Sequence, residues 1–283
     1  MDGKLPILET VKFGWRHFRA TLAAGAIVAA LVAIPAGLID WAAARANAAG
    51  QGLLGLLWFI PALFIDIPVV AAHYRQVLRG GPVRVAVGRD EALLAGVTAV
   101  LLFFFLIVGV IGLFLPSILA GVVLGAVGVA PPAPGATPQD LIASLGPAGA
   151  SALLLVMAPL LLALIWLGAR LILARPASLA EGRVLAFETW AWTKGNALRI
   201  VGAVLLLGLP LTLAALAAGE LVASLLLGQG EARETAVVGY QGAAALILGN
   251  FLQLWLVAGP LAAQAAYFYR GLRPGGHAPL SKV

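Results

Sequence analysis

The chain has 283 residues, of which 62% are hydrophobic and only 11% are charged, and its mean hydropathy is +1.02. Soluble globular chains contain about 25% charged residues, and a soluble fold of this length cannot bury so much apolar surface. Intrinsic disorder is excluded because it requires low hydrophobicity. The formal net charge is +6, but in so apolar a chain we interpret the basic residues first as topology signals. We therefore expect an integral membrane protein that binds no nucleic acid.

The residue types that carry most enzyme chemistry are scarce. Cysteine is absent, which excludes disulfides, thiol nucleophiles and cysteine-ligated metals, and the three histidines are too scattered for a local metal motif. The sequence also lacks a phosphate-binding loop, an HExxH motif, a nucleophile elbow and a dinucleotide fingerprint. We therefore expect no cofactor and no enzymatic activity. A membrane-embedded lipid enzyme is an alternative for which no acid–base pair is visible.

Six stretches without Asp, Glu, Lys or Arg are each long enough to cross a bilayer as a helix, which needs about 20 apolar residues. They are Ala20–Ile39, Ala46–Ile65, Ala92–Gln139, Leu141–Ala169, Ile200–Gly219 and Thr235–Tyr269. The second stretch is expected to continue past Asp66 to about His73. In the third, Pro116 and the prolines of 131–138 predict a helix that ends near Leu115, followed by a Gly/Ala-rich outer segment. The predicted fold class is all-α, a polytopic bundle of six transmembrane helices.

The ends of the paired crossings resemble one another. Arg79-Gly80, Arg175-Pro176 and Arg273-Pro274 each follow a pair, and the three arginines are 96 and 98 positions apart. This spacing predicts one transmembrane domain over 1–283, built from three tandem hairpins at about 1–80, 81–176 and 177–274, with a cytoplasmic tail at 275–283. The alternative is that any membrane hairpin returns to a basic edge without a true repeat.

Basic residues also predict the orientation. Sixteen of the 18 lie before the first crossing, between the second and third, between the fourth and fifth, or after the sixth. The positive-inside rule therefore places both termini in the cytoplasm, and we expect a bacterial inner-membrane location. A cleaved signal peptide is the alternative for the start of the chain, although its apolar run is longer than usual.

The segment between the fourth and fifth crossings predicts an interfacial helix. Ser178 and Glu181 fit a capping box, and apolar residues recur at helical spacing up to Trp192. We expect an amphipathic helix over Leu179–Lys194 that lies on the cytoplasmic leaflet, anchored by Trp190 and Trp192.

The same segment resembles a known family. The matching residues are Thr189, Trp190, Thr193, Lys194, Gly195, Asn196 and Arg199, within 186–200. They resemble a motif of the glycerophosphodiester phosphodiesterase membrane-domain family and its stand-alone bacterial relatives. The resemblance implies a six-helix membrane module. In fused members the phosphodiesterase activity belongs to a separate soluble barrel domain, which we expect to be absent here, so the resemblance implies no such activity for this chain.

Four polar residues lie within the predicted crossings: Asp66, Asn250, Gln253 and Gln264. An ionisable residue at membrane depth is costly, and Asp66 with the three amides is a candidate polar path for a proton or cation. The favoured interpretation is that Asp66 caps a helix restarting at Ile67-Pro68. The amides are then favoured as interhelical hydrogen-bond partners.

The leading hypothesis is a non-enzymatic membrane module that binds anionic lipid headgroups or a membrane protein partner through a basic cytoplasmic surface. The residues expected to form it are Arg75, Arg79, Arg175, Arg183, Lys194, Arg199, Arg270 and Arg273. A homo-oligomer through the GxxxG motif Gly121–Gly125 is a further expectation. The alternative function is a small transporter or channel that uses the polar path around Asp66.

Overall fold

A computed structural model describes residues 4–126, 146–228 and 236–274, and these are helical with no strand. The helices in these ranges are α1 (Ile7–Ala20), α2 (Leu22–Ala48), α3 (Gly52–Ala62), α4 (Ile67–Arg79), α5 (Arg89–Ala126), α6 (Gly146–Leu171), α7 (Ala174–Glu181), α8 (Ala197–Leu227), α9 (Tyr240–Leu252) and α10 (Gly259–Leu272). The prolines of 131–138, in the predicted outer segment, and the predicted tail 275–283 lie outside the described part of the chain.

The described helices provide six segments that are long and apolar enough to cross a membrane. They are Leu22–Ala48, Gly52–Arg79, Arg89–Phe114, Gly149–Glu181, Ala197–Leu227 and Tyr240–Leu272. The prediction of an all-α polytopic fold is confirmed, and the chain is a multi-pass membrane protein.

α2 runs to Ala48, beyond the uncharged stretch Ala20–Ile39, so the charged residues Asp40 and Arg45 lie within it. One predicted helix end is wrong, because α5 continues past Leu115 to Ala126. An apolar sequence surrounds Pro116 on both sides, and transmembrane helices tolerate a proline more readily than soluble ones. The motif Gly121–Gly125 therefore lies on a helix rather than in an outer loop.

Two of the six segments are interrupted by irregular turns. In the second, α3 ends at Ala62 and α4 begins at Ile67, so the prediction of a helix that restarts at Ile67-Pro68 is confirmed. In the sixth, a π-helical turn over Gln253–Ala258 joins α9 to α10. Pro260 lies two residues after this turn, and because proline has no N–H it cannot donate a hydrogen bond to the backbone carbonyl four residues earlier.

The predicted interfacial helix over Leu179–Lys194 is wrong. α7 ends at Glu181, because Gly182 takes the left-handed conformation (φ 69°) that commonly terminates helices. Ser178 lies inside α7 rather than at its N-cap, where its hydroxyl donates to the Ala174 carbonyl and accepts from the Leu185 amide. From there to residue 196 the chain forms turns, with one 3₁₀ turn at 188–190.

The chain divides into two compact units, one within Met1–Thr98 and Arg170–Val283 and the other Ala99–Ala169. In the first unit, α2 packs against α3, α4 and α9, while α10 packs against α1 and α4. Its core contains Val28, Ala29, Val32, Ala33, Val69, Ala72, Val83 and Leu254. The second unit contains most of the predicted middle hairpin. The threefold repeat itself stays a prediction.

Candidate functional site

The described basic residues of the first unit other than Arg45 lie on or next to the elements at one end of it, which we call the basic end. It consists of α1, the C-terminal halves of α4 and α10, the first turns of α5 and α8, α7, and the segment 182–196. Hydrogen bonds between distant parts of the chain join these elements: Arg79 to the Leu179 carbonyl, Arg89 to the Gly182 carbonyl, Arg199 to the Leu5 carbonyl, and the Tyr269 hydroxyl to Glu181.

Two predicted headgroup ligands are neutralised by carboxylates in the first turn of α5. Arg75 forms an ion pair with Glu91 and lies 3.7 Å from Asp90, and the Arg75 side chain is only 14% exposed. Arg79 binds both carboxylate oxygens of Asp90, at 2.8 and 3.2 Å. The acidic pair also suits the positive end of the α5 dipole. These two arginines therefore hold α4 against α5 and have little charge left for a ligand.

Arg175 is engaged in the same way. Its guanidinium donates to Asp66 Oδ2 at 3.0 Å and to Thr98 Oγ1 at 3.1 Å. Asp66 directly precedes α4, but its side chain makes no capping hydrogen bond to that helix. Its second oxygen, Oδ1, is buried and accepts no hydrogen bond. The carboxylate expected either to line a polar path or to cap a helix is therefore the counter-ion of an arginine expected to bind lipid.

The segment 182–196 is fixed from inside by buried polar side chains. Thr189 and Thr193 are fully buried and Asn196 is 4% exposed. The Thr193 hydroxyl lies 3.1 Å from the Arg170 carbonyl and 3.0 Å from the Trp190 carbonyl. The Leu5 amide donates to Asn196 Oδ1 at 2.9 Å. This irregular segment is therefore tied to the end of α6 and to the chain before α1.

The outer side of the segment carries cations beside apolar side chains. Arg183 and Lys194 are exposed, and the nearest carboxylate to Arg183 is Glu188 at 3.7 Å, itself half-exposed. Val184, Phe187 and Leu198 are 42%, 46% and 81% exposed. Charged and apolar groups thus alternate on one surface at the end of a membrane bundle, an arrangement suited to the headgroup region.

The eight basic residues predicted as one surface therefore divide into two sets. Those bonded internally are Arg75, Arg79, Arg175 and Arg199, while Arg183, Lys194 and Arg273 are exposed and Arg270 is intermediate. Arg273 also lies 5.9 Å from the Tyr269 ring. Carboxylates compensate the charges of Arg75, Arg79 and Arg175, although the Arg79 side chain is 48% exposed. The second set therefore offers more uncompensated charge to a ligand outside the protein.

The polar residues predicted to line one path lie in separate places. Asn250 donates to Asp40 Oδ2 at 2.7 Å, which joins α9 to α2. Gln264 is fully buried and donates to the Ala203 carbonyl at 3.0 Å, which joins α10 to α8. Gln253 begins the π-helical turn. Asn250 also donates to the Leu246 carbonyl of its own helix at 3.0 Å, and none of these bonds of Asn250 and Gln264 reaches Asp66.

Two histidines that are scattered in the sequence form a pair in the structure. His17 Nε2 and His73 Nδ1 lie 2.9 Å apart, and both rings are buried. A Cβ at position 259 would lie 2.6 Å from His73 Nε2, so the glycine there is required for this approach. The buried residues of α1 (Thr10, Phe13, Gly14, His17) follow helical spacing, a pattern that could have placed His17 in the core.

The histidine pair lies in a buried site that lacks, among the residues described, the further ligands of a metal site. Burial lowers the pKa of His17 to about 4, so its ring is neutral at neutral pH. Across residues 4–126, 146–228 and 236–274, no group of three or more His, Cys, Asp or Glu could hold a metal ion. The pair therefore contributes to helix packing at the basic end.

No family model, curated protein or solved structure matches this chain. The resemblance to the glycerophosphodiester phosphodiesterase membrane-domain family therefore stays a prediction that rests on residues 186–200.

Proposed function

We propose that this protein is a non-enzymatic membrane module whose basic end binds anionic phospholipid headgroups through the segment 182–196 and the adjacent Leu198. One observation supports this function above the others. Buried threonine and asparagine side chains fix the segment from inside, while its exposed side carries Arg183 and Lys194 among apolar side chains. A surface fixed in this way loses little conformational entropy when it binds a ligand.

The chemistry of the exposed side chains suits a leaflet surface. Phe187 and Leu198 can enter the boundary between headgroups and acyl chains, where apolar side chains are stabilised. Arg183 and Lys194 can then pair with phosphates in the same layer, and a basic residue near an anionic leaflet contributes about 1 kcal/mol. Arg75, Arg79 and Arg175 are left out of this site because carboxylates neutralise them, and Arg199 because it donates to the Leu5 carbonyl.

The proposal includes an orientation and a location. The excess of basic residues at this end favours the cytoplasmic side of a bacterial inner membrane, with both termini in the cytoplasm. The other side would carry Arg45, which lies near the far end of α2.

The family resemblance acquires a physical explanation under this proposal. Thr193 and Asn196 are the buried anchors, and Lys194 is the exposed cation between them. Gly195 has φ 78°, a conformation that residues with a side chain rarely adopt. Membership of that family is thus part of the proposal, without its phosphodiesterase activity.

The test measures lipid selectivity in reconstituted membranes. Electron paramagnetic resonance gives the preference for spin-labelled phosphatidylglycerol over phosphatidylcholine at the protein boundary. We expect the wild type to prefer phosphatidylglycerol, and each of Arg183→Gln and Lys194→Gln to lower that preference by up to about fivefold at low ionic strength, the equivalent of about 1 kcal/mol. Salt should weaken the preference in the wild type.

Arg45→Gln is the matched control, because it removes one exposed positive charge at the other end of α2 and should leave the preference unchanged. The proposal is wrong if the wild type shows no preference, or if the double variant Arg183→Gln/Lys194→Gln keeps the full preference at every salt concentration.

A further inference from the structure

A second site lies in the first unit, at the end of α2 far from α1. A partly open cavity of about 340 Å³ lies between α2 and α3, and its walls include Asp40, Asn47, Gly52, Gly55 and Trp58. Binding cavities for small molecules have volumes of about 300–1,000 Å³, so this one could hold a small ligand.

The wall of the cavity carries an uncompensated negative charge. Asp40 accepts a hydrogen bond from Asn250 Nδ2 at 2.7 Å, which is a neutral partner. None of the ion pairs among residues 4–126, 146–228 and 236–274 includes Asp40. Arg45, on the next turn of α2, lies instead 4.8 Å from the centre of the Trp41 ring. A carboxylate within a membrane helix is costly without a cation, and the bound ligand could supply it.

The remaining walls favour an organic cation over a hydrated metal ion. The indole of Trp58 can bind an ammonium group through its π-face, as aromatic rings do in sites for quaternary amines. Asn47 offers an amide oxygen to an N–H donor. A Cβ at position 55 would overlap with the Asn47 side chain, so Gly55 allows α3 to approach this amide.

We propose that this cavity binds a small organic ammonium group, with Asp40 as the counter-ion and Trp58 as the aromatic wall. The group could belong to a free amine or to the headgroup of a zwitterionic lipid, which share this chemistry. This proposal is independent of the one for the basic end, so a negative result here does not bear on the function proposed there.

The free-amine arm uses isothermal titration calorimetry on the purified full chain in detergent. The probes are choline, ethanolamine and 3,3-dimethyl-1-butanol, the uncharged carbon isostere of choline. We expect saturable binding of at least one of the two amines and none of the isostere. Asp40→Asn should weaken that binding at least tenfold, because it removes the charge and keeps the shape.

The lipid arm uses native mass spectrometry of the same preparations with phosphatidylethanolamine added, or with diacylglycerol, which lacks the ammonium headgroup. Selective retention of phosphatidylethanolamine, lost in Asp40→Asn, would assign the ammonium to a lipid headgroup even if the free amines do not bind. Trp58→Leu is the second variant and should also weaken binding. Glu9→Gln, which removes an exposed carboxylate from α1, should have no effect.

Size-exclusion profiles and thermal unfolding check that each variant is folded. The proposal is overturned if neither arm shows saturable or selective binding, if the uncharged isostere binds as well as choline, or if both Asp40→Asn and Trp58→Leu bind like the wild type.

Discussion

The two units of the chain keep their helices in place by different means. In the first unit, the most apolar windows of Leu22–Ala48 and Ala197–Leu227 are 39% and 33% buried within the protein. In Arg89–Phe114 and Gly149–Glu181, which supply most of the second unit, the shares are 11% and 6%. Phe103, Phe114 and Leu155 each expose two thirds or more of their surface. Helix packing and polar hydrogen bonds therefore stabilise the first unit. The helices of the second unit depend mainly on the surrounding lipid to accommodate their apolar side chains.

The glycines show the same contrast. A Cβ at Gly37 in α2 would lie 2.5 Å from the backbone N and Cα of Ile247 in α9. A Cβ at Gly109 in α5 would meet nothing within 4 Å. A small residue thus permits backbone contact between helices in the first unit. In the described part of the second unit, Gly109 has no such neighbour, and a Cβ at Gly112 would meet only the side chain of Leu160.

The largest expected effect comes from adding a methyl group at these two positions. Gly37→Ala should destabilise the protein by about 3 kcal/mol, the upper end for overpacking, because backbone atoms of Ile247 cannot move aside as a side chain could. Gly109→Ala should be neutral or stabilise by up to about 1 kcal/mol, since alanine favours a helix. Unfolding free energies from SDS titration of the purified protein measure both. Equal effects of the two substitutions would contradict the comparison.

The second effect is a pH dependence confined to the first unit. Burial lowers the pKa of His17 from 6.5 to about 4. Below pH 6.5 the unfolded state therefore binds a proton that the folded state does not, and stability falls with pH until about 4. The slope should be on the order of 1 kcal/mol per pH unit, and below about pH 4 this contribution levels off.

Hydrogen exchange followed by mass spectrometry, corrected for the intrinsic exchange rate, can locate this effect. Protection of α1 should fall between pH 6.5 and 4, while the described helices within 99–169, a stretch that contains no histidine, should change little. His17→Gln removes one of the two buried histidines of the pair and should reduce the slope of the profile in α1. A pH-independent α1 in the wild type, or an unchanged slope in the variant, would argue against a buried neutral His17.

The smallest of the three effects separates the anchors of segment 182–196 from its exposed residues. Thr193→Val keeps the shape of a fully buried side chain but removes its hydroxyl, so we expect a loss of about 1 kcal/mol. Lys194→Gln, one residue later and exposed, should change the unfolding free energy by less than about 0.5 kcal/mol. The same SDS titration measures both, and a larger loss in Lys194→Gln would reverse the assigned roles.

The sequence predicts the six crossings because long apolar stretches have few other uses in a chain this hydrophobic. The uncharged stretch that predicts the first crossing stops at Ile39, but α2 continues through Asp40, whose carboxylate accepts a hydrogen bond from an amide of α9. The helical spacing near Leu185 predicts a helix, but Gly182 ends α7, and Thr189 and Thr193 in the turns that follow are buried. Where a helix ends depends on backbone conformation, which a hydropathy pattern does not describe.

The polar contacts could not be predicted from spacing at all. Asp66 and Arg175 are 109 positions apart, and His17 and His73 are 56 apart. Which arginines are neutralised and which stay exposed is decided by these tertiary contacts. A single sequence shows only that all of them are basic and lie outside the most apolar windows.

We propose that the segment 182–196 and Leu198 lie at the membrane surface, with the apolar side chains toward lipid and with Arg183 and Lys194 toward water and phosphate. Because the chain has no cysteine, spin labels can be attached at Phe187→Cys, Leu198→Cys and Lys194→Cys one at a time, with Phe114→Cys as the lipid reference. Electron paramagnetic resonance in vesicles then compares collisions with oxygen, which enters the bilayer, and with a water-soluble nickel chelate. Labels at 187 and 198 should collide more with oxygen than the label at 194, which should collide more with nickel. Equal access of the nickel chelate to all three positions would contradict the account.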